Sequence, residues 1–100
     1  MKRARFISAA RREFLEQVAF YNSESRGLGE RFSNAIEEAA ARAAAFPQSG
    51  SPAAGGTRQV LVRGFPFSLV YRLDEEEIVI FAVVHQARRP ERWIARLPDR

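Results

Sequence analysis

Apolar residues recur along the first half of the chain at the spacing of α-helices. A short strand is predicted over residues 3–8, and Ser8 is expected to be the N-cap of the helix that follows it. That helix is predicted from residue 9 to about residue 24, because one apolar stripe repeats there at intervals of four and three. The stripe consists of Phe14, Val18 and Tyr21.

A second stripe of the same kind follows a break at residues 26–29, which contain two glycines. It predicts a helix from about residue 30 to residue 46, where Pro47 ends it. The members of the stripe are Phe32, Ile36, Ala39, Ala43 and Phe46. Because the link between the two helices is short, an antiparallel helical hairpin is expected.

The second half of the chain has the pattern of β-strands. Residues 47–57 are rich in Gly, Pro and Ser and are predicted to form a surface loop. Three β-branched apolar runs then follow, at residues 60–62, 67–73 and 78–84. Their short reversals predict antiparallel pairing, and the almost wholly apolar third run predicts an interior strand covered on both faces. The predicted order is β-α-α-β-β-β. This is an α+β fold in which a helical hairpin packs on a small, mainly antiparallel sheet, as a single domain over residues 1–100.

Composition narrows the range of chemistry. The chain has no cysteine, so disulfides, thiolate nucleophiles and thiolate metal sites are excluded. No apolar run approaches a signal-peptide core or a membrane span, and a cytoplasmic location is expected, with neither metal nor cofactor. The net charge is +4. Arginines concentrate after residue 58, which favours an anionic or acidic partner.

The residues that follow the last predicted strand are the candidates for function. His85 is the only histidine. Since no carboxylate adjoins it in sequence, a histidine hydrogen-bonded within the fold is favoured over a general base. Arg88 and Arg89 can bind phosphate or carboxylate, and Trp93 offers either a flat binding surface or a cover for the sheet edge. Both interpretations of Trp93 stay open from the sequence.

The sequence motifs FPF…VYR and AVVHQARRPERW, together with the order of elements, resemble the RelE/ParE superfamily of toxins, and the ParE-like branch most closely. The resemblance implies the same fold and a toxin of a type II toxin–antitoxin module. ParE-type toxins poison DNA gyrase. Their antitoxins wrap the toxin with a C-terminal segment while an N-terminal module binds DNA. A hetero-oligomer with an antitoxin is therefore expected.

Two departures from the nuclease branch of the superfamily separate the functional hypotheses. Trp93 stands where those nucleases usually have a tyrosine, and Ser68 stands where they often have arginine. The favoured hypothesis is a toxin without catalytic residues that binds gyrase through Arg63, Arg88, Arg89 and Trp93. The alternatives are a ribosome-dependent messenger RNA endonuclease using Arg63, His85 and Arg88, and a degenerate interaction domain without toxicity.

A binding surface for the antitoxin is also predicted. The alanine-rich second helix and the sheet are expected to leave an apolar groove, which an acidic, amphipathic antitoxin tail would fill as an added helix or strand. The residues assigned to this groove are Phe32, Ile36, Ala43 and Tyr71.

Overall fold

A computed structural model describes residues 2–87 and 91–98 of the chain. Within these residues the elements are β1 Arg3–Phe6, α1 Ser8–Glu24, α2 Leu28–Ala45, β2 Ser51–Ala53, β3 Thr57–Val62, β4 Phe67–Asp74, β5 Glu77–His85 and α3 Glu91–Ile94. The strands form one sheet in the order β1-β5-β4-β3-β2. Only β1 and β5 run parallel, and the other neighbours are antiparallel. The predicted α+β fold and its helical hairpin are confirmed.

The main core lies between the helical hairpin and one face of the sheet. Phe32 and Ile36 of α2 and Leu69 and Ile80 of the sheet have no exposed surface. Burial of each such side chain contributes about 1.5–3 kcal/mol, so the buried part of the α2 stripe is a main source of stability. Phe14, Val18 and Tyr21 of the α1 stripe are partly buried against the same core. The third predicted strand is also confirmed as interior, because β5 lies between β1 and β4 and residues 78–84 are all buried.

A smaller core covers the opposite face of the sheet, which we call the open face because no long helix packs on it. Val70, Ala82 and Val84 lie there under Trp93, and Leu97 packs at the margin. Only 2% of the surface of Trp93 is exposed. The short helix α3 therefore brings the C-terminal segment back across the sheet as a cover.

An irregularity in the pairing of β4 and β5 shapes the edge of the sheet near α1. Val70 pairs with Ala82 and Tyr71 pairs with Ile80, so Phe81 is one extra residue on β5. Such a bulge interrupts the alternation of backbone groups along a strand. Ile80 and Phe81 consequently both present carbonyls to partners outside β4, namely the amide of Ile7 and the side chain of Arg96.

Several details differ from the sequence predictions, and two of the differences are that β1 ends at Phe6 rather than at residue 8 and α2 at Ala45 rather than at residue 46. Ser8 is already in α1, the N-cap is Ile7, and no side chain caps this helix, so the predicted serine cap is wrong. The second helix starts at Leu28 rather than at residue 30, because Gly27 takes a left-handed conformation with φ of 80° and ends the link early. The predicted loop at 47–57 contains β2, which pairs with β3 at the outer edge of the sheet.

Candidate partner-binding groove

The edge of β5 that faces α1 has no partner strand over its second half. β1 pairs with β5 only from Glu77 to Ile80, and the chain then turns into α1. In the part of the chain that the structure describes, no other strand lies on this side of β5. An unpaired edge presents backbone donors and acceptors to which a strand of another protein can bind.

Two side chains cover the first part of this edge. The carboxylate of Glu13 accepts a hydrogen bond of 3.0 Å from the amide of Val83. The guanidinium of Arg96 donates one of 3.0 Å to the carbonyl of Phe81 and two more, of 3.0 and 2.8 Å, to Glu13. The pair thus replaces part of a missing strand and ties the C-terminal segment to α1.

Beyond this pair the edge borders a groove of about 420 Å³ between α1 and the end of β5. The lining residues are Glu13, Glu16, Gln17, Phe20 and Tyr21 from α1 and Pro66, Phe67, Val83, Val84 and His85 from the sheet. Phe20 is 52% exposed and is the large apolar side chain that the groove leaves open to solvent. Burial raises the pKa of the Tyr21 hydroxyl, so this phenol is neutral at neutral pH, whereas Glu13 and Glu16 contribute carboxylates to the same side of the groove. The α1–β5 groove therefore combines an open strand edge with an exposed aromatic anchor.

His85 lies at the rim of this groove. Its Nδ1 atom accepts a hydrogen bond of 3.1 Å from the amide of Ala87, and its ring packs edge-on against Phe67. These contacts agree with the favoured sequence interpretation of a histidine bonded within the fold. No carboxylate in the described part of the chain hydrogen-bonds to this ring.

Arg63 lies elsewhere, at the end of β3. Its guanidinium contacts Glu38 of α2 at 3.5 Å, and 71% of the side chain is exposed. Glu38 is held mainly by Arg42, whose hydrogen bond lowers the pKa of that carboxyl, and Arg63 lowers the pKa further. Val62 pairs with Phe67 and Phe67 pairs with His85, so Arg63 and His85 lie at the same end of the sheet with β4 between them. No hydrogen bond or ion pair joins these two described side chains. The third residue of the nuclease hypothesis, Arg88, lies outside the described residues, as does Arg89.

Trp93 was predicted as an exposed target-binding residue, with a cover for the sheet as the alternative. The structure agrees with the alternative, since the indole of Trp93 is buried against Val70, Ala82 and Val84. An indole buried in this way cannot offer its flat face to a partner. Its contribution to the surface is to hold α3 in place.

The structure corrects the prediction of which residues bind the antitoxin. Phe32, Ile36 and Tyr71 are 0% exposed, and Ala43 is 1% exposed. The three α2 residues and Tyr71 of β4 belong to the core between the helical hairpin and the sheet, so none of the four is open to a partner. Phe46, the last member of the α2 stripe, is 66% exposed. The Tyr71 hydroxyl is also used internally, donating to the carbonyl of Pro47 at 2.8 Å and accepting from the amide of Gly50 at 3.2 Å.

The groove residues were missed because the first helix was interpreted from its core stripe alone. Glu13, Gln17 and Phe20 follow one another at intervals of four and three, which places them on a second face of α1. An aromatic residue on that face was the available signal. No such signal exists for Arg96, because its partner Glu13 is 83 residues away in sequence.

Comparison with known protein families decides the class of the protein. Residues 5–90 match the family described as the ParE toxin of type II toxin–antitoxin systems, parDE. The chain belongs to the ParE toxin family. No curated protein gives a significant match. Membership of this family implies a toxin with a cognate antitoxin as partner. In the described residues of this ParE family toxin, no helix is long and apolar enough to cross a membrane.

Proposed function

We propose that this ParE family toxin acts in the cytoplasm by binding DNA gyrase, without cutting nucleic acid itself. Family membership supports the class of toxin. The observations that favour binding over cleavage are that Arg63 pairs with Glu38 and that, in the described residues, no carboxylate hydrogen-bonds to His85, whose Nδ1 accepts from the Ala87 amide. A general acid or base must lie within hydrogen-bond reach of the reacting group, together with the group that steadies the phosphate.

The antitoxin is proposed to occupy the α1–β5 groove rather than the buried stripe of α2. An extended segment of the antitoxin can add to β5 beside residues 83–85, where main-chain groups supply affinity. Phe20 gives that segment an exposed apolar contact of the kind that dominates interface energetics. Arg63, Arg88 and Arg89 remain the proposed target-binding residues.

A supercoiling assay tests the proposed target. Toxin separated from its antitoxin is added to gyrase and relaxed plasmid, and the expected result is loss of supercoiling that antitoxin restores. A primer-extension assay on cellular transcripts after toxin induction runs beside it. Unimpaired supercoiling together with codon-phased cleavage of transcripts would contradict the proposal and favour the endonuclease. If neither supercoiling nor growth changes, the non-toxic interaction domain is the better description.

A further inference from the structure

The open face of the sheet carries a second depression, away from the α1–β5 groove, with a volume of about 250 Å³. Its lining residues are Arg5, Ile7, Arg72, Asp74, Val79, Phe81, Arg96 and Pro98. Arg5 and Arg72 are both register partners of Val79, so the two arginines stand on either side of it across β1, β5 and β4. The depression is therefore lined by apolar side chains, with arginines at its margins.

Of these three arginines, two are already engaged by carboxylates. Arg5 contacts Glu77 through Nε at 3.2 Å and Nη2 at 3.1 Å. Arg96 contacts Glu13 and the Phe81 carbonyl. Neither therefore contributes a full uncompensated charge to a ligand.

Arg72 differs from both. Its guanidinium carbon lies 5.6 Å from the centroid of the Phe81 ring, within the range of a cation–π contact. Among the residues that the structure describes, Arg72 forms neither a hydrogen bond nor an ion pair. The ring holds the guanidinium in place while its N–H donors stay available. Such a preorganised guanidinium loses little conformational freedom when it binds an acceptor.

We propose that this Arg72 depression binds a single carboxylate side chain of the toxin's protein target. A volume of about 250 Å³ is below the roughly 300–1,000 Å³ of small-molecule sites, and it suits one side chain of a partner. Asp74 at the rim opposes ligands of higher negative charge such as phosphates. A carboxylate can form two parallel hydrogen bonds with a guanidinium, and the apolar walls suit the methylene groups that carry it.

The target, rather than the antitoxin, is the occupant that we assign to the depression. Arg96 and Pro98 line it, and they belong to the C-terminal segment that follows the proposed target-binding residues in sequence. The proposed antitoxin site lies in the α1–β5 groove instead. The identity of the partner rests on the proposed function, whereas the carboxylate chemistry does not.

The first test addresses the chemistry alone. The side-chain Nε–H resonance of Arg72 is followed by NMR as N-acetylglutamate N-methylamide is added, with sodium chloride keeping the ionic strength constant. The expected result is a saturable shift that the corresponding glutamine compound does not produce. A shift no larger than that caused by the glutamine compound overturns the proposal. A stronger response to inorganic phosphate also overturns it, because it would indicate a phosphate site.

The second test addresses the partner. Arg72→Gln is compared with Arg31→Gln, which removes the same charge from the exposed surface of α2. The toxin concentration for half-inhibition of supercoiling is expected to rise about tenfold or more for Arg72→Gln and less than about twofold for Arg31→Gln, while antitoxin affinity and melting temperature stay unchanged. The half-inhibitory concentration of Arg72→Lys is expected to lie between those of the wild type and Arg72→Gln. Weakened antitoxin binding with full inhibition, or no effect on either partner, overturns the proposal. If the wild type leaves gyrase unaffected, the proposed function fails, and the resonance test still decides the carboxylate site.

Discussion

Arg96 and Glu13 form two hydrogen bonds of 2.8 and 3.0 Å although 83 residues separate them in sequence. Each side chain is 23% exposed, so the pair is partly shielded from water. Charge-assisted bidentate pairs in such positions are stronger than surface ion pairs. The contact joins α1, the unpaired edge of β5 and the C-terminal segment in one network.

Loss of this network is expected to loosen the cover of the open face. We expect Arg96→Gln to lower the free energy of unfolding by about 1–3 kcal/mol, because a hydrogen-bonded charge and the Phe81 carbonyl lose their partner. Trp93 is the only tryptophan, so its fluorescence reports on the cover directly. The emission should shift to longer wavelength. Glu16→Gln, one turn along the same helix and in the same groove, is the control and should leave the emission unchanged.

The α1–β5 groove predicts a specific effect of Phe20→Ala on antitoxin binding. Phe20 and Leu15 are about equally exposed on α1, at 52% and 51%, but only Phe20 lines the groove. Loss of an anchor side chain should weaken antitoxin binding about tenfold or more, whereas Leu15→Ala should change it less than about twofold. Calorimetric titration measures both. Equal effects of the two substitutions would count against the groove.

The proposed target-binding arginines predict a separation of the two partners. Replacing Arg88 and Arg89 together with Ala should abolish growth inhibition while antitoxin binding persists. A growth assay, a binding titration and a melting curve on the same variant provide the comparison. A folded double variant that binds antitoxin and stays fully toxic would show that these residues are not needed at the target.

Trp93→Ala is expected to act through stability instead. Removing a buried indole leaves a cavity beneath α3 and should cost about 3–5 kcal/mol, which is a large part of the stability of a small domain. Denaturant unfolding measures this loss. Trp93→Phe should recover most of it, and loss of toxicity in a stable Trp93→Phe variant would reopen a direct role for the indole.

Tyr71 predicts a dependence of stability on alkaline pH. Burial raises the pKa of its hydroxyl above the ordinary value of about 10, while contacts with Gly50 and Arg58 oppose the shift. Because the folded state then favours the neutral phenol, this contribution is complete below pH 10 and is lost as the pH rises towards the folded pKa. Tyr71→Phe should lose about 1–3 kcal/mol at pH 7, since the Pro47 carbonyl and the Gly50 amide lose their partner. Its stability should fall less steeply than that of the wild type above pH 10, which denaturant unfolding at several pH values can measure.

Features that depend on residues close together in sequence could be predicted, whereas features that depend on distant residues could not. Residues 78–84 and the two helices marked by the stripes of Phe14 and Phe32 were assigned correctly because periodicity is a local property. Phe46, predicted as the last member of the second stripe, is 66% exposed. Burial was harder, because a stripe such as that of Phe32 has the same pattern whether it faces the chain's own sheet or a partner. The α1–β5 groove was beyond such reasoning, because it depends on where β1 stops relative to β5 and on the contact of Glu13 with Arg96.

The family match ends at residue 90, but the cover formed by Trp93 lies after it. A protein shortened at residue 90 would keep every strand described here and would lose the side chain that shields Val70, Ala82 and Val84 from water. It would also lose Arg96, which blocks part of an edge on which other strands can assemble. Residues beyond the family match are therefore expected to protect both the open face and the free edge of β5.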